Sequence, residues 1–277
     1  MAYIRSVNWV QDQLDSIRLV DCRFDLQNPD KGRLEYEEGH IPGAVYVDLE
    51  KDMSGAVGQS GGRHPLPNMN DFLDVIQEAG IHNRDIIVAY DNQNGAMASR
   101  FVWMMMYVGH KEAYVLDGGL KAWDEKGYGI TTEIPVNNRS LYKAEFQSYM
   151  IADQTYVAQH IYDDQTIILD SRSYERFAGI SEPIDRKAGH IPSAVNAEWM
   201  KVLNQSGRWK SKEELRTHFL QYGNPEEWII YCGSGVTAAP NVLALYEAGF
   251  KQVRLYVGSW SDWITNDQNP IDFSVSS

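Results

Sequence analysis

The residues best suited to chemistry lie around one cysteine, Cys232. It follows a short apolar run at residues 228–231 and precedes a segment with helical spacing. Gly233 and Gly235 allow the backbone to curl around the sulfur, so that several amide N–H groups can point at it. The positive end of a helix that begins near Thr237 would act in the same direction. This setting favours a thiolate nucleophile and a bound anion, which a buried structural cysteine does not need.

The chain contains two copies of one pattern, which predicts two tandem domains. Each copy has an apolar strand with an acidic end, a Gly-His-Ile-Pro segment, a second apolar strand and a tryptophan-containing segment. They occur in the same order, at residues 18–23, 39–45, 85–91 and 116–123, and again at 167–172, 189–195, 227–232 and 256–263. We therefore expect domains at residues 1–135 and 150–277, joined by a linker at residues 136–149.

The order of elements within each copy predicts an α/β fold. Short apolar strands alternate with segments of helical spacing, such as residues 70–80 and 240–249. Strand, loop and helix in this order form βα units, which build a mainly parallel sheet flanked by helices. Ligands of such sheets bind at the carboxyl ends of the strands, and this rule places a ligand at Cys232.

Composition argues against several classes of function. The net charge of −13 on 277 residues does not suit binding to nucleic acid or to an anionic membrane surface. We see no apolar run of about 18 residues and no apolar core of a secretory signal. Two cysteines are too few for a disulfide framework, so we expect a cytoplasmic, reducing location. Neither metal-ligand spacing nor a complete dinucleotide motif occurs, so we expect no metal and no cofactor.

Residues 232–237, Cys-Gly-Ser-Gly-Val-Thr, resemble the active-site loop of the rhodanese family of sulfurtransferases. The sequence is typical of the 3-mercaptopyruvate sulfurtransferase branch, whereas the thiosulfate-using branch usually has basic residues in place of Gly233 and Ser234. The resemblance implies two tandem rhodanese-like domains and transfer of sulfane sulfur through a persulfide on Cys232. The implied partners are a small sulfur donor and an acceptor such as cyanide, a thiol or thioredoxin. A thiosulfate sulfurtransferase and a persulfide carrier for a protein partner remain alternatives.

A cysteine phosphatase is a further alternative, because it would place its nucleophile in a similar loop. That loop ends in arginine after five intervening residues, and Ala238 occupies the position here. A transferring phosphate would therefore lack its bidentate cation, which argues against phosphatase chemistry.

The two copies differ at the nucleophile. Alignment of the second strands puts Asp91 of the first copy at the position of Cys232. A carboxylate in an amide cradle can be well hydrogen-bonded, but it cannot carry a transferable sulfur atom. We therefore expect a catalytically silent first domain and an active second domain. The remaining thiol, Cys22, lies beside Asp21, whose charge disfavours a thiolate, so we expect a structural role for it.

The resemblance also implies a donor-binding site. Arg176 and Arg186 match the two arginines that bind 3-mercaptopyruvate in the family, and a guanidinium offers forked donors to a carboxylate. The loop residues of the predicted site are Gly233, Gly235, Val236 and Thr237.

A proton relay is implied as well. His64 matches the family histidine that works with the loop serine, here Ser234, and Glu50 is the candidate acidic partner. An imidazole suits proton exchange near neutral pH. Since His64 and Cys232 come from different copies, we expect the active site in the cleft between the domains. His40 and His190 occur in both copies of the Gly-His-Ile-Pro segment, so we expect structural roles for them.

Overall fold

The computed structural model describes residues 3–274, which divide by their contacts into two units. The first unit comprises the residues up to Gly55, Leu66–Gln147 and Gln205–Trp209. The second comprises Ala56–Pro65, Ser148–Asn204 and the residues from Lys210 onward. A short segment of the first half of the sequence, Ala56–Pro65, thus belongs to the second unit. None of the helices in residues 3–274 has the length and apolar character that a membrane span requires.

The first unit is a parallel sheet flanked by helices. Its strands are β1 (Ile4–Arg5), β2 (Ile17–Asp21), β3 (Val45–Tyr46), β4 (Ile86–Tyr90) and β5 (Ala113–Leu116). They lie in the order β1-β5-β4-β2-β3, and each neighbouring pair is parallel. The helices are α1 (Val7–Asp12), α2 (Lys31–Glu38), α3 (Met69–Glu78), α4 (Ala96–Tyr107) and α5 (Gly119–Glu125).

The second unit repeats this architecture. Its strands are β6 (Ile151–Ala152), β7 (Thr166–Asp170), β8 (Val195–Asn196), β9 (Glu227–Tyr231) and β10 (Val253–Tyr256). Their order, β6-β10-β9-β7-β8, corresponds strand for strand to that of the first sheet, and the pairs are again parallel. The helices are α6 (Gln154–His160), α7 (Tyr174–Phe177), α8 (Lys212–Leu220), α9 (Ala239–Glu247) and α10 (Ser259–Trp263). The predicted α/β class with a parallel sheet in each copy is confirmed.

The central strands of the two sheets position the loops of interest. In β4 and β9, every residue after the first is fully buried or nearly so. Continuous burial on both faces is typical of strands in a helix-covered parallel sheet. Because both strands end at the carboxyl edge of their sheets, Asp91 and Cys232 occupy equivalent places at the start of a strand-to-helix loop.

The Gly-His-Ile-Pro segments are held in the same way in both units. The Nδ1 atom of His40 lies 2.7 Å from the carbonyl oxygen of Tyr36, and that of His190 lies 2.8 Å from that of Phe177. Each imidazole also stacks on the ring of the same partner, with centroids 4.0 Å and 3.8 Å apart. A contact that recurs in the unit without a loop thiol stabilises the fold, which agrees with the structural role predicted for both histidines.

Candidate active site

The loop after β9 surrounds the sulfur of Cys232 with its own backbone. The N–H of Gly235 donates to Sγ at 3.1 Å, and Cys232 is only 1% exposed. Gly235 has a φ of +77°, and a Cβ atom there would lie 2.2 Å from the carbonyl oxygen of Val257. Only glycine allows both the left-handed backbone and this close approach. The tight turn around the sulfur therefore depends on this one residue.

Helix α10 fixes the other side of the loop. The N–H of Cys232 donates to Oγ of Ser259 at 3.1 Å, and that oxygen lies 4.0 Å from Sγ. The backbone N–H groups of Trp260 and Ser261 donate to the carbonyl groups of Cys232 and Gly233 at 3.0 Å and 2.9 Å. These bonds satisfy the outward-facing backbone of the loop and hold the cysteine in place.

Several amides of the loop are available to an anion. Among residues 3–274, the structure gives no acceptor to the N–H groups of Gly233, Ser234, Val236 and Thr237. Successive backbone N–H groups at a turn form an anion-binding concavity, and the N-terminus of α9 adds the positive end of its dipole. The loop can therefore stabilise negative charge at or beside the sulfur.

Two arginines lie close to Gly233, the loop residue that follows Cys232. A Cβ atom on Gly233 would lie 2.9 Å from Nη2 of Arg63, and 3.3 Å and 3.4 Å from Nη2 and Nη1 of Arg176. The absence of a side chain at Gly233 leaves the space that both guanidinium groups face. Arg176 was predicted at the site from the sequence, and Arg63 was not. Its position next to His64 was the only signal that could have found it.

A pair of carboxylates holds these arginines. Both carboxylate oxygens of Glu182 accept hydrogen bonds from Nε of Arg176 at 3.0 Å. The carboxylate of Asp185 accepts a hydrogen bond from Nη2 of Arg176 at 2.9 Å and also contacts Nη1 of Arg63. Burial would raise the pKa of Glu182, but hydrogen bonds from Arg176 and the backbone of Asp185 outweigh it and lower that pKa. For Asp185, burial prevails over the attraction of Arg63 and raises the pKa.

His64 and Ser234 meet in the second unit. Nδ1 of His64 lies 2.8 Å from Oγ of Ser234, and the two residues are 8% and 7% exposed. The backbone before His64 is anchored on α10, because Gly61 donates to the carboxylate of Asp262 at 2.6 Å and Arg63 to Oγ of Ser261 at 3.1 Å. The segment Ala56–Pro65 therefore brings both His64 and Arg63 to the cysteine loop.

The remaining predicted site residues are Arg186, Glu50, Val236 and Thr237. Arg186 has a side chain that is 60% exposed, and its Nη2 donates to the carbonyl oxygen of Ile264 at 2.5 Å. Glu50 is exposed and belongs to the first unit. Val236 is 3% exposed and Thr237 is half-buried within the loop. The substrate-binding role of Arg186 and the relay role of Glu50 thus stay predictions from the family resemblance.

The comparisons with known proteins identify the class of this fold and site. The pattern of the rhodanese-like domain matches residues 6–126 and again residues 153–266. The chain belongs to the rhodanese family, as the loop at residues 232–237 indicated.

Similar proteins carry sulfurtransferase names. The chain is 40% identical over 262 residues to a probable 3-mercaptopyruvate sulfurtransferase of Pseudomonas aeruginosa, with 91% of each chain covered. It is 30% identical over 284 residues to a thiosulfate sulfurtransferase of Cricetulus griseus, covering 98% of this chain and 94% of the relative. A solved structure described as a 3-mercaptopyruvate sulfotransferase, SseA of Escherichia coli, superposes with a TM-score of 0.83 at 29% identity, covering 94% of this chain and 100% of that one. The protein is an enzyme with sulfurtransferase activity.

Proposed function

We propose that the second unit transfers sulfane sulfur from 3-mercaptopyruvate to a thiophilic acceptor through a persulfide on Cys232. One observation carries the proposal: the loop around Cys232 offers open amides, while Arg63 and Arg176 face the adjacent Gly233. The carboxylate-binding pair thus faces the residue that follows the sulfur nucleophile in the chain. The 40% identical relative named for 3-mercaptopyruvate supports the choice of donor.

The donor carboxylate binds to the guanidinium groups of Arg63 and Arg176. A guanidinium presents parallel N–H donors that fit a carboxylate in bidentate geometry, and a charged pair of this kind is about twice as strong as a neutral one. Both side chains remain partly accessible, 32% for Arg63 and 18% for Arg176, so a donor can reach them. Anchoring the carboxylate at Gly233 directs the donor thiol toward Cys232.

In the first half-reaction, the Cys232 thiolate attacks the donor sulfur. The new S–S bond forms as the C–S bond of the donor breaks, and its electron pair stays on the carbon product as an enolate. The enolate takes up a proton and leaves as pyruvate. The amides of Gly233, Ser234, Val236 and Thr237 stabilise the negative charge of the thiolate and then of the persulfide.

The proton of the donor thiol passes through Ser234 and His64 to the enolate, which becomes pyruvate. Oγ of Ser234 lies 2.8 Å from Nδ1 of His64, which is within the reach of proton transfer. Thiosulfate carries no such proton, so the pair serves a thiol donor specifically. Glu50 is the proposed acidic partner by family resemblance alone.

In the second half-reaction, an acceptor takes the outer sulfur of the persulfide and restores Cys232. Cyanide, a small thiol or thioredoxin would serve, since each is a nucleophile toward sulfane sulfur. The two half-reactions give ping-pong kinetics.

Mass spectrometry and steady-state kinetics with two donors test the proposal. Incubation with 3-mercaptopyruvate should add the mass of one sulfur atom to the peptide that contains Cys232. Cys232→Ser should remain unmodified and inactive, and Cys22→Ser is the matched control that keeps activity. A higher kcat/KM for thiosulfate than for 3-mercaptopyruvate would overturn the choice of donor. It would favour the activity in the name of the Cricetulus griseus relative, thiosulfate sulfurtransferase.

The same experiment separates an enzyme for small molecules from a carrier. Rapid persulfide formation with slow release to cyanide or small thiols, but fast release to an acceptor protein, would favour the carrier function. We expect turnover with small acceptors, because the proposed site recognises a small donor anion.

Arginine variants test the donor site separately. Arg63→Ala and Arg176→Ala should each raise KM for 3-mercaptopyruvate by about ten- to a hundredfold, the effect of losing a hydrogen bond to a charged group. Arg63→Lys keeps the charge without the fork and should recover only part of the loss. Arg186→Ala is the matched variant: an increase as large as that of Arg63→Ala would return Arg186 to the site.

A further inference from the structure

The arginines of the site belong to a charge-balanced cluster of six buried or half-buried groups. Three guanidinium groups contact three carboxylates within the second unit. The cations are Arg63, Arg172 and Arg176, and the anions are Asp170, Glu182 and Asp185. With all six ionised the cluster is neutral, so an incoming anion leaves it with an excess of negative charge.

Two of the three carboxylates are built into the framework. Asp170 is fully buried and accepts both the side chain and the backbone N–H of Arg172. Glu182 has a side chain that is 3% exposed and accepts Arg172, Arg176 and the backbone N–H groups of Ile184 and Asp185. Removing either would leave several buried donors without a partner.

Asp185 is held differently. Among the described residues, its carboxylate contacts only the guanidinium groups of Arg63 and Arg176. These are the two groups that face Gly233. Its side chain is 4% exposed, while both arginines are more accessible. Asp185 thus presents a carboxylate to the cations that the donor anion must also use.

We propose that Asp185 is a specificity-determining residue, an internal carboxylate that competes with the donor anion for Arg63 and Arg176. The inference deepens the proposed function and rests on it for the identity of the donors. Arg63 divides its donors, because its Nη1 contacts Asp185 while its Nη2 lies nearest to Gly233. In Arg176 one nitrogen, Nη2, both donates to Asp185 and faces Gly233, so the two anions compete for it directly. The single carboxylate of Asp185 and the carboxylate of the donor can therefore each bind to these two arginines.

The charge of the competitor selects between donors. 3-Mercaptopyruvate brings one negative group, its carboxylate, to the arginines. Thiosulfate brings two negative charges, which are shared between its outer sulfur and the adjoining sulfonate group. Ionised Asp185 therefore repels thiosulfate more strongly. Like-charge juxtaposition in a poorly solvated site excludes wrong partners effectively. Asp185 therefore disfavours dianions such as thiosulfate relative to 3-mercaptopyruvate.

Asp185→Asn removes the charge with little change in size and tests the inference. We expect KM for thiosulfate to fall more than KM for 3-mercaptopyruvate, so that the ratio of the two kcat/KM values shifts toward thiosulfate by about tenfold. Inorganic sulfate, added as a competitive inhibitor, should bind more tightly to the variant by a similar factor. Asp185→Glu keeps the charge and should retain the donor preference of the unmodified enzyme. Asp74→Asn is the matched control, because that carboxylate is 58% exposed and pairs with Arg139 in the first unit, outside the cluster.

Three results would overturn the inference: an unchanged donor ratio with unchanged sulfate affinity, weaker binding of both donors and sulfate, or the same shift in Asp74→Asn. The second result would mean that Asp185 positions the arginines instead of competing for them. Isothermal titration with sulfate makes the test independent of turnover. If the unmodified enzyme transferred sulfur from neither donor while Asp185→Asn still bound sulfate more tightly, the proposed donors would be wrong and the competing role of Asp185 would stand. Circular dichroism of both Asp185 variants confirms that they are folded.

Discussion

The loops after β4 and β9 occupy equivalent places in the two units, but their backbone amides bind different groups. In the first unit, Asp91 fills the turn with its own charge: its carboxylate accepts the N–H groups of Gln93, Gly95, Met97 and Ala98 at 2.8–2.9 Å. In the second, Sγ of Cys232 accepts a hydrogen bond from the N–H of Gly235 at 3.1 Å. Within residues 3–274, the N–H groups of Gly233, Ser234, Val236 and Thr237 have no acceptor. A turn whose amides already bind a carboxylate has fewer donors for a second anion.

The residues beside the two loops differ in the same sense. Next to Asp91, Asn92 donates to the carboxylate of Glu35 at 2.9 Å, and the adjacent cavity is lined by charged groups of both signs. These are Glu35, Glu38, Asp124, Arg23 and Lys121. Next to Cys232, Gly233 faces Arg63 and Arg176. At the first loop a carboxylate accepts the side chain of Asn92, whereas at the second two guanidinium groups face Gly233. The two loops therefore differ at the nucleophile, in the amides that surround it and in the charged groups beside it.

The strongest test of the comparison concerns the second cysteine, which lies beside the filled loop. Cys22 is fully buried, and burial, with the charges of Asp21, Asp91 and Asp52, raises its pKa well above the ordinary value. Both effects disfavour the thiolate in the folded protein. In Cys232→Ser, where Cys22 is the remaining thiol, we expect iodoacetamide to label folded protein at least about a thousandfold more slowly than protein in urea. Rapid labelling of the folded variant would show that a thiol in the first unit is reactive without a loop of its own.

The second test exchanges a glycine in each loop. Gly235→Ala places a Cβ atom against the carbonyl of Val257 at a φ of +77°, so the loop must move. Because a displacement of about 1 Å at a reacting group can cost a hundredfold in rate, we expect kcat to fall by about that factor.

Gly95→Ala is the matched change in the first unit. Gly95 has a φ of +87°, but a Cβ atom there would lie 3.2 Å from the side chain of Val115, a milder contact. We expect a loss of about 1 kcal/mol in the free energy of unfolding and a normal rate of sulfur transfer. Equal losses of rate in the two variants would break the distinction between a silent and an active loop.

The third test compares the loss of stability on removing Asp91 with the loss on removing Cys232. Asp91→Ala leaves four backbone donors in a fully buried place without their acceptor, so we expect a loss of about 3 kcal/mol in the free energy of unfolding. Cys232→Ala removes a weaker acceptor of one N–H group and should cost about 1 kcal/mol while abolishing transfer. Urea denaturation of both variants measures the difference. A smaller loss for Asp91→Ala than for Cys232→Ala would mean that Asp91 does not stabilise its turn.

The sequence was most informative where the relevant contacts are local. Cys232, the glycines of its loop and the repeated strands could be predicted because each depends on neighbouring residues. Arg63 escaped prediction because its contact with Gly233 joins residues far apart in the chain, through a segment of the first half that belongs to the second unit. Arg186 shows the reverse: it is close in sequence to Arg176, yet its guanidinium binds the carbonyl of Ile264. The sequence does not predict this contact, because it joins residues 78 positions apart, and the role of Arg186 in donor binding stays a prediction.

The smallest expected effects come from the histidines that both units share. His40→Asn removes the ring that stacks on Tyr36, and His190→Asn removes the ring that stacks on Phe177. Each change should lower the free energy of unfolding by about 1 kcal/mol at pH 7 without changing the rate of sulfur transfer.

The contribution of His190 to stability should also depend on pH. Burial lowers the pKa of His190 in spite of its hydrogen bond to the carbonyl group of Phe177. The unfolded chain, with an ordinary pKa of about 6.5, therefore binds a proton before the folded protein does, and the stabilisation by His190 is present above that pH and is lost as the pH falls below it. Urea midpoints at pH 7, 6 and 5 should show a difference between His190→Asn and the unmodified protein that shrinks toward acid. A difference that grows toward acid would mean that His190 is stabilised in its charged form, and a loss of transfer in His190→Asn but not in His40→Asn would give the histidine of the active unit a part in catalysis.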